Sequence, residues 1–226
     1  TNAALSITMN NANVASGANV AFNASSLTST ALTFNAAAEA DGTYTLTAGA
    51  GDDNITLGSG ADILLFATDN LTSSDTINGG GGTDILKLTN ASTVIDADFT
   101  NVTNLETITQ NTASHGMNLT LGSLAAGAGL VTVTGGTGTN SVIIGSGYNG
   151  NLTVALAAGT DTIDGSGQTS GSLTVTAAQD SITTADTITG GSATDTLTIT
   201  GGGTALVAAD LDKVTNFGII RTATDA

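Results

Sequence analysis

The sequence predicts an all-β fold, a right-handed parallel β-roll or β-helix solenoid with irregular repeats. Three observations predict it. Short segments in which apolar residues alternate with small polar ones recur from end to end: Leu5-Ser-Ile7, Val20-Ala-Phe22, Leu32-Thr-Phe34, Tyr44-Thr-Leu46, Leu119-Thr-Leu121, Val131-Thr-Val133, Leu152-Thr-Val154, Leu173-Thr-Val175 and Leu197-Thr-Ile199. Turns rich in Gly, Asn, Ala and Ser separate them, and helical periodicity is nearly absent. Two nine-residue units, AGAGDDNIT (48–56) and LGSGADILL (57–65), follow one another with glycines at matching places, and a third, GGGGTDILK, spans 79–87.

Each nonad carries an aspartate sixth (Asp53, Asp62, Asp84) and an aliphatic residue eighth (Ile55, Leu64, Leu86). GGxGxDxUx, with U aliphatic, is the pattern of calcium-binding parallel β-rolls. The glycines allow positive φ in a tight turn and leave backbone carbonyls bare. The aspartate adds a short, hard oxygen ligand as the turn ends, and the next three residues form a strand whose aliphatic side chain points inward. The glycines at 49, 51, 58, 60, 79 and 81 (Gly49, Gly51, Gly58, Gly60, Gly79, Gly81) are therefore candidate carbonyl ligands.

The frame 48–56, 57–65, a four-residue insertion 66–69, 70–78 and 79–87 puts Asp75 in the sixth place too. One coil takes two nonads, so Asp53 pairs with Asp75 on one edge and Asp62 with Asp84 on the other, with turn carbonyls completing about six oxygens. Asp52 is expected to face solvent. If the insertion is more than a bulge, this pairing fails and Asp69 becomes a ligand. For any one aspartate the plain alternative is an ordinary Asx-turn.

The chain also repeats on a longer scale. DTINGGGGTDILKLT (75–89) matches DTITGGSATDTLTIT (186–200), and ADFTNVTNLETI (97–108) matches ADLDKVTNFGII (209–220). Asp186 and Asp195 sit in adjacent nonads, hence on opposite edges; Asp161 and Asp180 are candidate partners for Asp186, although their spacing breaks the frame. Asp98 and Asp210 fall where a cap for one helical turn belongs. The segment 135–151 repeats the glycine scaffold of 48–65 with Asn140 and Asn149 in place of the aspartates, which predicts metal-free turns. The expected organisation is an N-terminal β segment over 1–42, a first calcium-binding module over 43–110, a metal-poor solenoid segment over 111–155 and a second module over 156–226.

Composition narrows the function. There are 3 basic and 19 acidic residues, a formal charge of −16, and only Glu39 and Glu106 are glutamates. So strong a preference for the shorter acid fits turn-borne ligands better than general surface acidity. Phosphate backbones and anionic membranes find almost no cations here, so binding to either is not expected, and with no run of 18 apolar residues membrane insertion is not expected. With no cysteine there is no disulfide framework, and calcium is the natural staple for an extracellular chain. One histidine, His115, makes no zinc site, and HExxH and GxSxG are both missing, so no enzyme is expected. Nothing at Thr1–Asn10 reads as a signal peptide, and the pattern starts and stops in mid-repeat, as in a piece of a longer protein.

The nonads resemble those of RTX (hemolysin-type calcium-binding) proteins, which bacteria export by type I secretion. The segment GAGDDNITLGSGADILLF…DTINGGGGTDILKL…NLETI…ASHGMNLTLGSL, within 49–124, is similar to the calcium-binding region of self-assembling surface-layer proteins of the Caulobacter type. Glu106-Thr107 matches that group's pattern, whereas Gly218-Ile219 departs from it. The resemblance implies an extracellular or cell-surface location, Ca2+ as cofactor, and self-association into a lattice or filament, with cell-surface polysaccharide as a further candidate partner. The expected function is a structural module of a secreted surface-layer-type coat that folds and assembles with calcium. The alternative is a repeat region of a large secreted RTX adhesin or biofilm protein. Behind these stand an ice- or carbohydrate-binding solenoid, suggested by rows of threonine, and the accessory domain of a secreted enzyme.

Overall fold

The computed structural model describes residues 4–67, 69–110, 114–201 and 204–223. Thr68 of the insertion, and Thr1–Ala3 at the start of the segment searched for a signal peptide, lie outside the described residues. The chain winds into a parallel β-solenoid of about nine turns with almost no helix.

One wall runs the whole length as a ten-stranded parallel sheet, from Asn19–Asn23 through Thr43–Thr47, Ile63–Phe66, Ile85–Leu88, Thr107–Gln110, Thr132–Thr134, Leu152–Leu156, Leu173–Ala178 and Thr196–Thr200 to Ile219–Thr222. The opposite wall is split into two shorter sheets. The first holds Leu5–Asn10, Leu32–Ala38, Asn54–Thr56, Thr76–Asn78 and Val102–Thr103; the second holds Ser92–Val94, Met117–Leu121, Ser141–Ile144, Thr162–Asp164, Thr187–Thr189 and Val214–Thr215. Strand alternation decides which residues are inside. On the long sheet Leu46, Leu64, Leu86, Ile108, Val133, Val154, Val175 and Leu197 stack in register and are buried. Phe34, Ile55 and Ile77, then Leu119, Val142, Ile163 and Ile188, line the walls opposite. Threonines take the outward positions, as β-branched residues do on a pleated surface.

The walls are exchanged within one three-sided coil. After Ile85–Leu88 the chain starts the second short sheet with Ser92–Val94, makes a 3-10 turn at Asp96–Phe99, and ends the first short sheet with Val102–Thr103. The two expected turn caps are in place. Asp98 accepts the Ile95 amide at 2.9 Å at the head of this turn, and Asp210 accepts the Val207 amide at 2.9 Å at the head of its counterpart, Ala208–Leu211. One element went unforeseen, the six-residue helix Ser123–Ala128, which lies over the end of the first short sheet and receives the Leu105 amide on the Ala128 carbonyl. No helix among the described residues is long and apolar enough to cross a membrane.

Candidate cation-binding turns

Most turns onto a sheet set a buried residue in a slot two positions before the core residue; Glu106 is half-buried there, and Val131, Thr100, Asp212 and Gly218 are exposed. Register lines the slots up in files. Along the long sheet the file is Tyr44, Asp62, Asp84, Glu106, Val131, Leu152, Leu173, Asp195 and Gly218. The first short sheet has Leu32, Asp53, Asp75 and Thr100, and the second has Met117, Asn140, Asp161, Asp186 and Asp212. The seven aspartates at positions 53, 62, 75, 84, 161, 186 and 195 are at most 2% exposed.

The files are held as ladders. One oxygen of each acid accepts the backbone amide of the same slot one coil earlier: Leu32 to Asp53 at 2.8 Å, Asp53 to Asp75 at 2.7 Å, Tyr44 to Asp62 at 2.7 Å and Asp62 to Asp84 at 2.8 Å. Asp161 donates to Asp186 at 2.7 Å, and Leu173 to Asp195 at 2.7 Å. The second oxygen turns back to its own turn. Gly49 donates to Asp53 at 3.2 Å and Gly58 to Asp62 at 3.1 Å, while Thr72 and Thr183 hold Asp75 and Asp186 through amide and hydroxyl.

Asp53 thus stacks on Asp75 and Asp62 on Asp84, and the insertion 66–69 lengthens the coil without breaking the stack. Asp69 is exposed at φ 58° and joins no file; Asp52 is exposed. In the second module Asp161, 25 residues away, stacks on Asp186, whereas Asp180 is exposed in a 3-10 turn. Asp195 has no acid in the slots beside it, only Leu173 and Gly218. Of the two asparagines, Asn140 occupies a slot, but Asn149 is exposed and register puts Leu152 in the buried place.

The glycines act differently from their expected role. The left-handed positions are Gly80 (φ 94°) and Gly82 (φ 104°), not Gly79 and Gly81, and none of Gly49, Gly51, Gly58 and Gly60 is left-handed. Close coil stacking is what these demand: a Cβ on Gly51 would lie 2.5 Å from the Thr30 carbonyl, and one on Gly58 3.0 Å from the Glu39 oxygen. The Gly58 carbonyl accepts Gly81 N–H at 3.0 Å and the Gly49 carbonyl accepts Asn70 at 2.9 Å, which leaves each a second lone pair for a cation.

Burial pushes the carboxyls of Asp53, Asp62, Asp75 and Asp161 above the ordinary range, with amide hydrogen bonds offsetting part of it. Asp84 rises to about 7, through burial first and then through the charges of Asp62 and Glu106. Asp84 Oδ2 and Asp161 Oδ2 are buried with no hydrogen-bond partner. Among the described residues no three His, Cys, Asp or Glu side chains cluster around one point, so any ion here is shared by stacked acids and backbone oxygens. Hard, buried, under-satisfied oxygens in files of like charge suit calcium.

Two features were missed in the sequence. Glu106 extends the long-sheet file by one coil, accepting the Asp84 amide at 2.8 Å; its spacing of 22 from Asp84, equal to that from Asp62 to Asp84, is the signal that reveals it. Asn140 is more than a neutral gap. Its Nδ2 lies 2.8 Å from the Gly136 carbonyl, 2.9 Å from the Gly138 carbonyl and 2.8 Å from Asp161 Oδ1, so an amide stands among the oxygens that a cation would gather.

Residues 45–70 and 71–87 match the family model of the RTX calcium-binding nonapeptide repeat. The match supports an RTX-type β-roll, and repeats of this kind imply Ca2+ binding and are typical of secreted proteins. Comparison with curated proteins and with solved structures gives no match.

Proposed function

We propose that this chain is a structural module of a secreted bacterial surface-layer-type protein, folding and self-assembling into an extracellular coat as calcium fills its turns. The observation that carries the proposal is the pair of acid files, the buried Asp53–Asp75 and the file Asp62–Asp84 that the half-buried Glu106 extends. Calcium, when bound, supplies the positive charge these files lack. The chain's own part is to hold the carboxylates one above another through backbone amides, to keep water out with the aliphatic core, and to aim turn carbonyls at the same edge. Without the ion, like charges at −16 overall oppose winding, which suits a chain that leaves a low-calcium cytosol. Outside, extracellular modules fill at calcium on the order of 0.1–1 mM, and binding energy becomes folding energy. In this reading ions occupy 43–110 and 156–226, while 111–155 winds without them.

The test is far-UV circular dichroism with light scattering, from micromolar to 10 mM calcium. A rise in β signal followed by particle growth supports the coat. Folding without growth favours a repeat region of a secreted adhesin, and no response overturns both. A second reading is favoured by one observation. Thr107, Thr132, Thr153, Thr174 and Thr196 stand in one outward file on the long sheet, spaced at about 4.8 Å by strand pairing. Such a file suits ice or a crystalline polysaccharide, and an ice-recrystallisation assay on the calcium-loaded protein decides it.

A further inference from the structure

We propose that Glu39 and Asp62 form a further divalent-cation site in the coil before the paired aspartates, at the one acid-flanked turn whose slot holds Tyr44. The turn Glu39-Ala-Asp-Gly42-Thr-Tyr44 aligns with Leu57-Gly-Ser-Gly60-Ala-Asp62, so tyrosine replaces the sixth-place aspartate. The missing carboxylate enters from the other end of the turn, on the longer side chain at its first place.

Glu39 is 1% exposed. Its Oε1 accepts the amides of Ala40 at 3.1 Å, Asp41 at 3.2 Å and Gly42 at 3.0 Å. Its Oε2 is buried and has no partner, and the buried Tyr44 hydroxyl has none either. Below them lies the next coil: Glu39 Cβ and Cγ pack over Gly58, at 3.1 and 3.3 Å from where a Cβ would be, and Gly58 donates to Asp62. Tyr44 itself donates its amide to Asp62 Oδ1. The charges are mutually felt, since the Tyr44 phenol is raised by burial and then by Glu39 and Asp62, and Asp62 is raised in part by Glu39.

Glu39 Oε1 is already engaged by three backbone amides, while Oε2 is buried without a partner, in the turn that stacks on Asp62 and holds the equally unpartnered Tyr44 hydroxyl. Two carboxylates with neutral oxygens nearby are the ligand set of a hard divalent ion, calcium in an extracellular setting. The site rests on the calcium reading above, but Glu39 precedes the matched residues 45–70 and is no part of the nonapeptide pattern.

Terbium, a calcium surrogate that emits when a nearby tyrosine is excited, gives the test. The chain has no tryptophan and two tyrosines, and the Tyr148 hydroxyl is engaged by the Leu130 carbonyl in a coil whose slots, Asn140 and Leu152, hold no acid. The expected results on the folded full chain are tyrosine-sensitised emission that falls severalfold in Glu39→Gln and in Tyr44→Phe but persists in Tyr148→Phe, with Glu39→Gln binding one calcium fewer by equilibrium dialysis. The glutamine keeps an Oε1 acceptor for the three amides, and Glu39→Asp, with its carboxylate withdrawn by one methylene, is the second variant, expected to weaken the same ion. Equal calcium number and equal emission in both variants would overturn this site alone. A wild-type chain that binds neither calcium nor terbium overturns the calcium reading beneath it.

Discussion

Asp84 lies between two other acids in its file, and its protonation sets how the calcium-free fold responds to pH. Its folded value, about 7, exceeds its value in an unfolded chain, so the folded state binds the proton more tightly. The ionised form therefore costs stability above pH 7, and the cost disappears as pH falls through that value toward the ordinary carboxylate range. Asp53, Asp62, Asp75 and Asp161 are raised too and push in the same direction. Urea unfolding without calcium is expected to show rising stability from pH 8 to about 5, and the calcium midpoint is expected to climb over the same interval as protons compete for the carboxylates. A flat profile in both would remove these acids from the sites. The neighbouring module gives the converse prediction. Asn140→Asp exchanges an amide donor for a carboxylate facing Asp161 Oδ1 and the Gly136 and Gly138 carbonyls. Calcium-free stability should drop by roughly 1–3 kcal/mol, as for a lost buried hydrogen-bond donor, while the number of bound calcium ions rises by one. Loss of stability with no added ion would show that this turn cannot close on a cation.

At the level of elements, legibility tracked the length over which a pattern repeats. Strands such as Leu152-Thr-Val154 were plain because alternation persists across many coils, and the Asp53–Asp75 stack followed from nonad counting alone. The helix Ser123–Ala128 was hidden. Six residues that include Gly127 are too few for helical periodicity, and the N-cap residue, Gly122, makes no side-chain hydrogen bond. Its capping group lies a coil away: Asp96 accepts the amides of Gly122 at 2.7 Å, Ala125 at 2.9 Å and Leu124 at 3.3 Å. The Asp161–Asp186 stack was blurred for a related reason, since the 3-10 turn Gln179–Ser181 stretches its coil beyond the nonad count. Asp96→Ala strips all three amides of their acceptor and should cost about 1–2 kcal/mol, the scale of a lost helix cap. The loss should be equal at low and saturating calcium, because Asp96 belongs to no file; a calcium-dependent loss in denaturant titrations would place it in one.

Across the whole molecule the acids fall in two blocks with a neutral stretch between. The long-sheet file passes from Asp62, Asp84 and Glu106 to Val131, Leu152 and Leu173 before Asp195. In the coils before Asp161 the turn interiors hold neutral groups: Asn140, and Tyr148 bound to the Leu130 carbonyl. Solenoid stability is a sum over neighbouring coils, so each stretch winds or unwinds according to its own balance. The middle stretch needs no ion, and its Met117–Leu121, Thr132–Thr134, Ser141–Ile144 and Leu152–Leu156 strands bury an unbroken aliphatic file. Hydrogen exchange at micromolar calcium is therefore expected to find slow amides confined to about residues 117–156, with the strands Ile63–Phe66 and Ile85–Leu88 exchanging freely. Raising calcium should extend protection outward in both directions, joining the two blocks into one unit. Strong protection of Ile63–Phe66 and Ile85–Leu88 without calcium would mean that the stacked carboxylates tolerate one another unaided, and that calcium does not drive the winding of the first module.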